Sequence, residues 1–209
     1  MDFDGRLRTF DPVDHSKLRA AVLDQPQTYW SSDRESRVRL AGNRPGDAVF
    51  LFNDAPPFAP RRNLLDEAAT VGLSVFVNNT DPLFREVRQV IDSSILPRYP
   101  STNVSRCQIA SLPPGATIKT HRDGGILAAI HRVHLPIIST DLCEFVIDDE
   151  PVTLDEGTVY ELNNVRPHSV TNRGPDTRYH LICDLLPQSR GSVRYFSDPD
   201  EFLGSLRAG

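Results

Sequence analysis

Several things are scarce in this chain, and each absence narrows what it can be. Positive charge is the first: 23 Lys and Arg stand against 28 Asp and Glu, for a net charge of −5. With no basic run and no Arg–aromatic interleaving, a nucleic-acid partner is not expected. Long apolar stretches are missing too. No window approaches the roughly 20 residues that cross a bilayer, so no membrane partner is expected. The N-terminus, Met1-Asp2-Phe3-Asp4-Gly5-Arg6, carries acids where a secretory leader would be apolar, and no leader is expected. Cysteine is limited to Cys107, Cys143 and Cys183, widely spaced and each inside an apolar run. Three buried free thiols are expected rather than a disulfide framework, and with them a reducing, cytoplasmic location. Internal repeats and low-complexity tracts are absent.

What is present fits one domain over residues 1–209. The hydrophobic share of 39% is enough to bury a core. Residues 1–45 read as polar and irregular except at Ser16–Leu23. There Leu18, Ala21, Val22 and Leu23 form a short helical stripe that Asp14 and Ser16 can cap. Arg34, Arg37 and Arg39 read either as a solvated edge or as an arm reaching a substrate carboxylate. Residues 48–52 read as a buried strand. Pro56, Pro57, Pro60, Arg61 and Arg62 make a loop or linker that could cover a site. The clearest helix is 81–97, with Asp81 as N-cap and Pro82 at the first position. Leu83, Val87, Val90, Ile91 and Ile95 form its core stripe, and Pro97 ends it.

From residue 104 onward strands accumulate, at 104–112, 117–120, 131–138, 143–147, 157–162, 169–171 and 179–185. Turns at 113–115, 148–151 and 155–157 separate them. Ser197, Asp198, Pro199 and Asp200 then introduce a short terminal helix. Many short strands without a crossover helix indicate a mainly β fold with flanking helices, a double-stranded β-helix (jelly roll, cupin-like). Its catalytic core is expected at 104–186. Residues 1–100 are expected to be an irregular and helical region packing on the barrel.

The chemistry-bearing residues lie inside that core. His121-x-Asp123, with His168 far enough downstream to lie on another strand, is the donor set of a two-His, one-carboxylate iron site. Three ligands on one face leave the other face to a chelating cosubstrate and oxygen. Gly124 and Gly125 let the backbone bend beside it. Arg178 can pair bidentately with a carboxylate. A dicarboxylate such as 2-oxoglutarate would chelate through its 2-oxo acid end and lay its far carboxylate on Arg178; the blander reading is an exposed strand charge. Arg132 and His134 alternate with Val133 and Leu135, so they share a face. Lining the barrel, they would meet a cosubstrate or substrate carboxylate; facing water, they would do nothing special. His180 shares the face of Arg178, and His131 is expected to face away. No catalytic residue is expected beyond the metal ligands.

Residues 114–123, 132–135, 163–172 and 178–184 together resemble the aspartyl/asparaginyl β-hydroxylase group of iron(II)- and 2-oxoglutarate-dependent oxygenases, which includes bacterial free-proline hydroxylases. The resemblance implies that His121, Asp123 and His168 hold Fe(II) and that Arg178 anchors 2-oxoglutarate. It implies that Arg132 and His134 contact cosubstrate or substrate, and Arg122, His180 and Asn164 are further expected substrate contacts. Mammalian aspartyl hydroxylases lack the carboxylate ligand, so Asp123 places the chain nearer the bacterial members. The expected activity is dioxygenation with Fe(II), 2-oxoglutarate and O2, hydroxylating an unactivated C–H of a free amino acid or small derivative. One alternative is an aspartyl or asparaginyl residue in a peptide or protein; another is a non-catalytic metal- or ligand-binding cupin. A zinc or manganese hydrolase would need a general base, and the motif block holds no spare Glu. The expected partner is a small amino-acid substrate or a peptide, with a homodimer allowed for.

Overall fold

Alternation along two strands sets the architecture. In β6 (His131–Ile138), Val133, Leu135 and Ile137 are buried on one face, and in β11 (Arg178–Pro187) Leu181, Cys183 and Leu185 do the same. These side chains share a core with Leu18 and Val22 of α1 (Ser16–Leu23), with Trp30 of α2 (Gln27–Ser31), and with Leu83, Val87, Val90, Ile91 and Ile95. The helices therefore cover the outer face of the sheet to which β6 and β11 belong. Each fully buried Leu or Ile contributes roughly 1.5–3 kcal/mol, which makes this docking a principal tie between helices and sheet.

The computed structural model describes residues 3–31, 48–54 and 71–207. The basic stretch at Arg34, Arg37 and Arg39 and the loop at 56–62 lie outside them. Eight strands form the larger sheet, in the order β1 (Leu7–Pro12), β9 (Thr158–Leu162), β6, β11, β4 (Thr102–Leu112), β2 (Ala48–Asp54), β3 (Val71–Val77) and β12 (Gly191–Phe196). Four form the smaller: β5 (Thr117–His121), β10 (His168–Asn172), β7 (Cys143–Ile147) and β8 (Glu150–Val152). Among the described residues only β3 and β12 pair in parallel. The two sheets meet over a second core, to which the larger gives Leu112, Tyr160 and Leu162 and the smaller Phe145, Ile147 and Val170. This is the expected jelly roll. Among the described residues no helix is long and apolar enough to cross a membrane. The cysteines are buried free thiols, and Cys107 faces Cys183 across the β4–β11 pair with 3.4 Å between sulfurs.

Three expectations need correction. Residues 1–100 are not only irregular and helical, because β1, β2 and β3 are strands of the main sheet. Edge strand β1, Leu-Arg-Thr-Phe-Asp-Pro, hides in a sequence scan because edges are kept polar. It is pinned by Arg8 on the buried carboxylate of Glu161, 3.1 Å away, which also accepts from Tyr99 and from the His131 ring. The helix at 81–97 is not uniform: α3 (Phe84–Val90) passes into a π turn at Ile91–Ile95 and a 3₁₀ turn at Leu96–Arg98. Pro97 has no N–H for the carbonyl of Ser93 and crowds it, so the last turns change pitch instead of stopping cleanly. Asp81 accepts from the N–H of Leu83 at 2.8 Å, one turn ahead of the α-helix proper. Finally, the turn expected at 148–151 tightens to two residues. Asp148 and Asp149, at φ 53° and 61°, make the hairpin between β7 and β8. Asp14 accepts from the N–H of Ser16 at the start of α1, and Asp198 accepts from Asp200 and Glu201 at the start of α4 (Pro199–Arg207).

Candidate metal centre

Strand pairing assembles the three candidate ligands. His121 ends β5, His168 begins β10, and the antiparallel register sets them directly opposite each other. Their ring centroids are 4.2 Å apart. Asp123 follows just past the end of β5, where its N–H donates to the carbonyl of Asn164 at 2.9 Å. One donor atom from each of His121, Asp123 and His168 lies within 4.8 Å of the others, a spacing a single ion can bridge.

Both rings are oriented by the same device. Nδ1 of His121 lies 2.8 Å from the carbonyl of Lys119, and Nδ1 of His168 lies 2.9 Å from that of Arg166. A carbonyl only accepts, so each Nδ1 carries the proton and each Nε2 presents a lone pair. Burial pushes the pKa of His168 down, keeping it neutral and able to ligate. Burial would raise the carboxyl of Asp123, but Arg132, then His168 and the Asn164 amide, outweigh it and hold it below the usual range. Two imidazole nitrogens and one carboxylate fit a divalent metal, and iron in particular when all three share one face.

The other expected residues divide into two groups. Arg132 and Asn164, expected as cosubstrate or substrate contacts, both donate to the carboxylate of Asp123. Arg132 donates from Nε and Nη2 to the two oxygens of Asp184, 2.8 Å each, and from Nη1 to Oδ2 of Asp123. Asn164 donates to the same Oδ2 at 3.3 Å and to the carbonyl of Leu127 at 2.8 Å. Arg122 is exposed and reaches the carbonyl of Val165, away from the barrel interior. His131 lies on the face opposite His134, against Glu161. Sequence reasoning assigned no role to Asp184. The available signal was a charge inside the apolar run Leu181-Ile182-Cys183-Asp184-Leu185, which must be paired to be tolerated.

The second group lines the interior, where the Nε of Arg178 and the ring nitrogens of two histidines have no hydrogen-bond partner among the described residues. Arg178 is only 3% exposed, and among the described residues no carboxylate pairs with it. Its guanidinium carbon lies 5.4 Å over the ring of Phe145. Burial lowers its pKa to about 10, so it stays a cation at neutral pH. His134 and His180 are buried as well, and among the described residues none of their four ring nitrogens has a hydrogen-bond partner. His180 stacks on Phe145 at 5.6 Å with planes 9° apart, and His134 stands edge-on 5.9 Å from His180. Burial first, then nearby Arg charges, push both imidazoles well below 6.5. His180 stacks on Phe145 of β7, and β7 pairs with β10, the strand that begins with His168, so the cluster and the ligands lie against the same pair of strands. A buried cation beside unsatisfied polar nitrogens is costly unless an anion arrives to meet it.

A family model and a solved structure agree with this picture at the level of family and fold, respectively. Over 90% of this chain and 98% of its own, an oxidoreductase of the 2OG-Fe(II) oxygenase family from Burkholderia pseudomallei superposes with a TM-score of 0.51 at 14% identity, which establishes a common fold. A non-heme monooxygenase solved as a ThoJ-Ni complex gives 0.49 at 12% identity, covering 97% of this chain and 91% of its own. A curated relative from Rickettsia felis, named "Putative export ATP-binding/permease protein", is 30% identical over 102 residues, 49% of this chain. The chain spans 17% of that protein's length, so that name describes a far longer molecule. The sequence model of aspartyl/asparaginyl beta-hydroxylase matches residues 78–187, which hold the three ligands, Arg178 and both unpartnered histidines, and the chain belongs to that family.

Proposed function

We propose that the protein is an Fe(II)- and 2-oxoglutarate-dependent dioxygenase that hydroxylates an unactivated C–H of a free amino acid or small derivative. The observation that carries this reading is the buried cluster of Arg178, His134 and His180, with the Arg178 Nε and all four ring nitrogens unpartnered among the described residues, against the strands that bring three metal ligands together. A simple metal-binding cupin has no use for a buried, unpaired guanidinium. A 2-oxo diacid answers both halves of the site.

His121, Asp123 and His168 would hold the ion through Nε2, a carboxylate oxygen and Nε2. When bound, ferrous iron with its cosubstrate supplies the oxygen activation that no side chain can perform. The chain's own residues bind and orient. Arg178 takes the far carboxylate of 2-oxoglutarate in a bidentate pair. His134, neutral at working pH, offers an N–H to the cosubstrate. Phe145, packed against both Arg178 and His180, keeps water from the pair and so strengthens it. His121 is partly exposed, and substrate would approach from its side.

The test is a screen of amino acids and short peptides, including aspartyl and asparaginyl peptides, with Fe(II), 2-oxoglutarate and ascorbate. Succinate release coupled to a gain of one oxygen by one of them is the expected result. Zinc-supported turnover, or binding of acids with no succinate under any condition, would replace the oxygenase reading with a hydrolase or a binder.

A further inference from the structure

The family resemblance puts Arg132 on a bound small molecule, but its three guanidinium nitrogens are committed elsewhere. We infer that Arg132, locked by Asp184, confines Asp123 to one-oxygen ligation and so keeps a coordination position open for the cosubstrate. The inference rests on the metal-site reading above and adds to it a pair of positioning residues, neither of which touches the ion.

Cross-strand register builds the lock. Asp184 in β11 stands opposite Arg132 in β6 on one side and Arg106 in β4 on the other. Its carboxylate is 1% exposed, receives the bidentate fork of Arg132 at 2.8 and 2.8 Å, and lies 3.9 Å from Arg106. A planar fork engaged at Nε and Nη2 cannot rotate, so the direction of Nη1 is fixed. That nitrogen donates to Oδ2 of Asp123, and the amide of Asn164, itself tied to the carbonyl of Leu127, donates to the same oxygen. Oδ1 is left facing Nε2 of His121, 3.9 Å away. Thus one carboxylate oxygen is occupied by two donors and the other is aimed at the ligand histidine.

The consequence follows from counting positions around an octahedral ion. Two imidazoles and one carboxylate oxygen take half of them; a chelating 2-oxo acid and oxygen need the other half. A carboxylate free to bind through both oxygens would take one of those. Hydrogen bonds to Oδ2 remove that option. They do so through Asp184, a residue with no access to substrate or metal.

The experiment uses the full chain loaded with Co(II), whose visible bands respond to the identity and arrangement of its donor atoms. Arg132→Met, Arg132→Lys and Asp184→Asn are compared with wild type for thermal unfolding, Co(II) affinity, spectrum without cosubstrate, and 2-oxoglutarate affinity. Co(II) affinity should fall by about 10- to 100-fold in Arg132→Met and Asp184→Asn. At saturating Co(II), both should show an altered cosubstrate-free spectrum and at least about tenfold poorer 2-oxoglutarate binding, with Arg132→Lys failing to rescue the fork. An unchanged cosubstrate-free spectrum in folded Asp184→Asn and Arg132→Lys overturns the inference, whatever happens to affinity, because a direct contact with 2-oxoglutarate would leave that spectrum alone. Wild type that binds Co(II) no better than His168→Ala would instead bring down the metal reading itself.

Discussion

The guanidinium of Arg178 rests on the face of Phe145, 5.4 Å from carbon to ring centroid, with no carboxylate paired to it among the described residues. A cation–π contact contributes about 0.5–2 kcal/mol, less than the several kcal/mol that desolvating an ion costs. The protein thus carries a local instability that a bound anion removes.

From this follows an unusual pair of outcomes for Arg178→Met, which keeps volume and deletes charge. Without ligand, the variant should unfold at the same temperature as wild type or higher. Its 2-oxoglutarate affinity should drop at least about a hundredfold, in the range expected when one partner of a buried charge pair is lost. Thermal melting with and without 2-oxoglutarate measures both. A ligand-free variant clearly less stable than wild type would mean that Arg178 has a structural partner.

His168→Ala should separate binding from folding. The ring is half-buried and its one protein hydrogen bond among the described residues is to the carbonyl of Arg166, so the apo fold should survive. Metal affinity should fall by about a hundredfold or more, since one of three protein donors is gone. Calorimetric titration with Mn(II) reads this without requiring turnover. Retained affinity would show that the ion binds elsewhere.

Much of this was legible in the sequence, and the reason is periodicity. Val133-x-Leu135-x-Ile137 and Leu181-x-Cys183-x-Leu185 each alternate cleanly, which puts Arg132 with His134, and Arg178 with His180, on one face of their strands before any fold is known. His121, Asp123 and His168 were visible as donor types at a usable separation. The role of Arg132 was not, because its partner lies 52 residues away and the pairing exists only through the β6–β11 register. The strand β1 and the parallel pair of β3 and β12 escaped for another reason. They sit at or near sheet edges, where apolar alternation is weak, and only long-range pairing defines them.

A strained turn ties the barrel to the N-terminal segment. Gly157 has φ of +76°, and a Cβ there would lie 2.8 Å from the ring of His15 and 3.4 Å from the carbonyl of Val13. Its backbone is held on both sides, accepting from Val13 and donating to Pro136. Gly157→Ala combines a left-handed backbone penalty of about 1 kcal/mol with displacement of His15, for a loss of about 2 kcal/mol in all. Denaturant unfolding should show it, while Co(II) affinity stays at the wild-type value. An unchanged midpoint would mean that the turn is looser than its geometry.

Acid should destabilise the apo protein earlier than its carboxylates alone would allow. His134 and His180 are neutral in the folded state, their pKa values depressed by burial and by Arg132 and Arg178, whereas in the unfolded chain they return to about 6.5. Below that pH the unfolded state binds protons that the folded state refuses, so stability falls; above it the two states bind alike and these groups contribute no slope. Each can remove up to about 1.4 kcal/mol per pH unit as pH drops from about 6.5. His168, shifted the same way, adds to the effect, whereas the depressed carboxyl of Asp123 acts only near and below its ordinary 3.8. Unfolding midpoints of chelator-treated protein between pH 8 and 5 should therefore be flat at first and then decline. His180→Phe, which preserves the stack on Phe145, should shallow that decline. A wild-type curve that stays level to pH 5, or a His180→Phe curve parallel to it, would show that protons reach these rings freely in the folded chain.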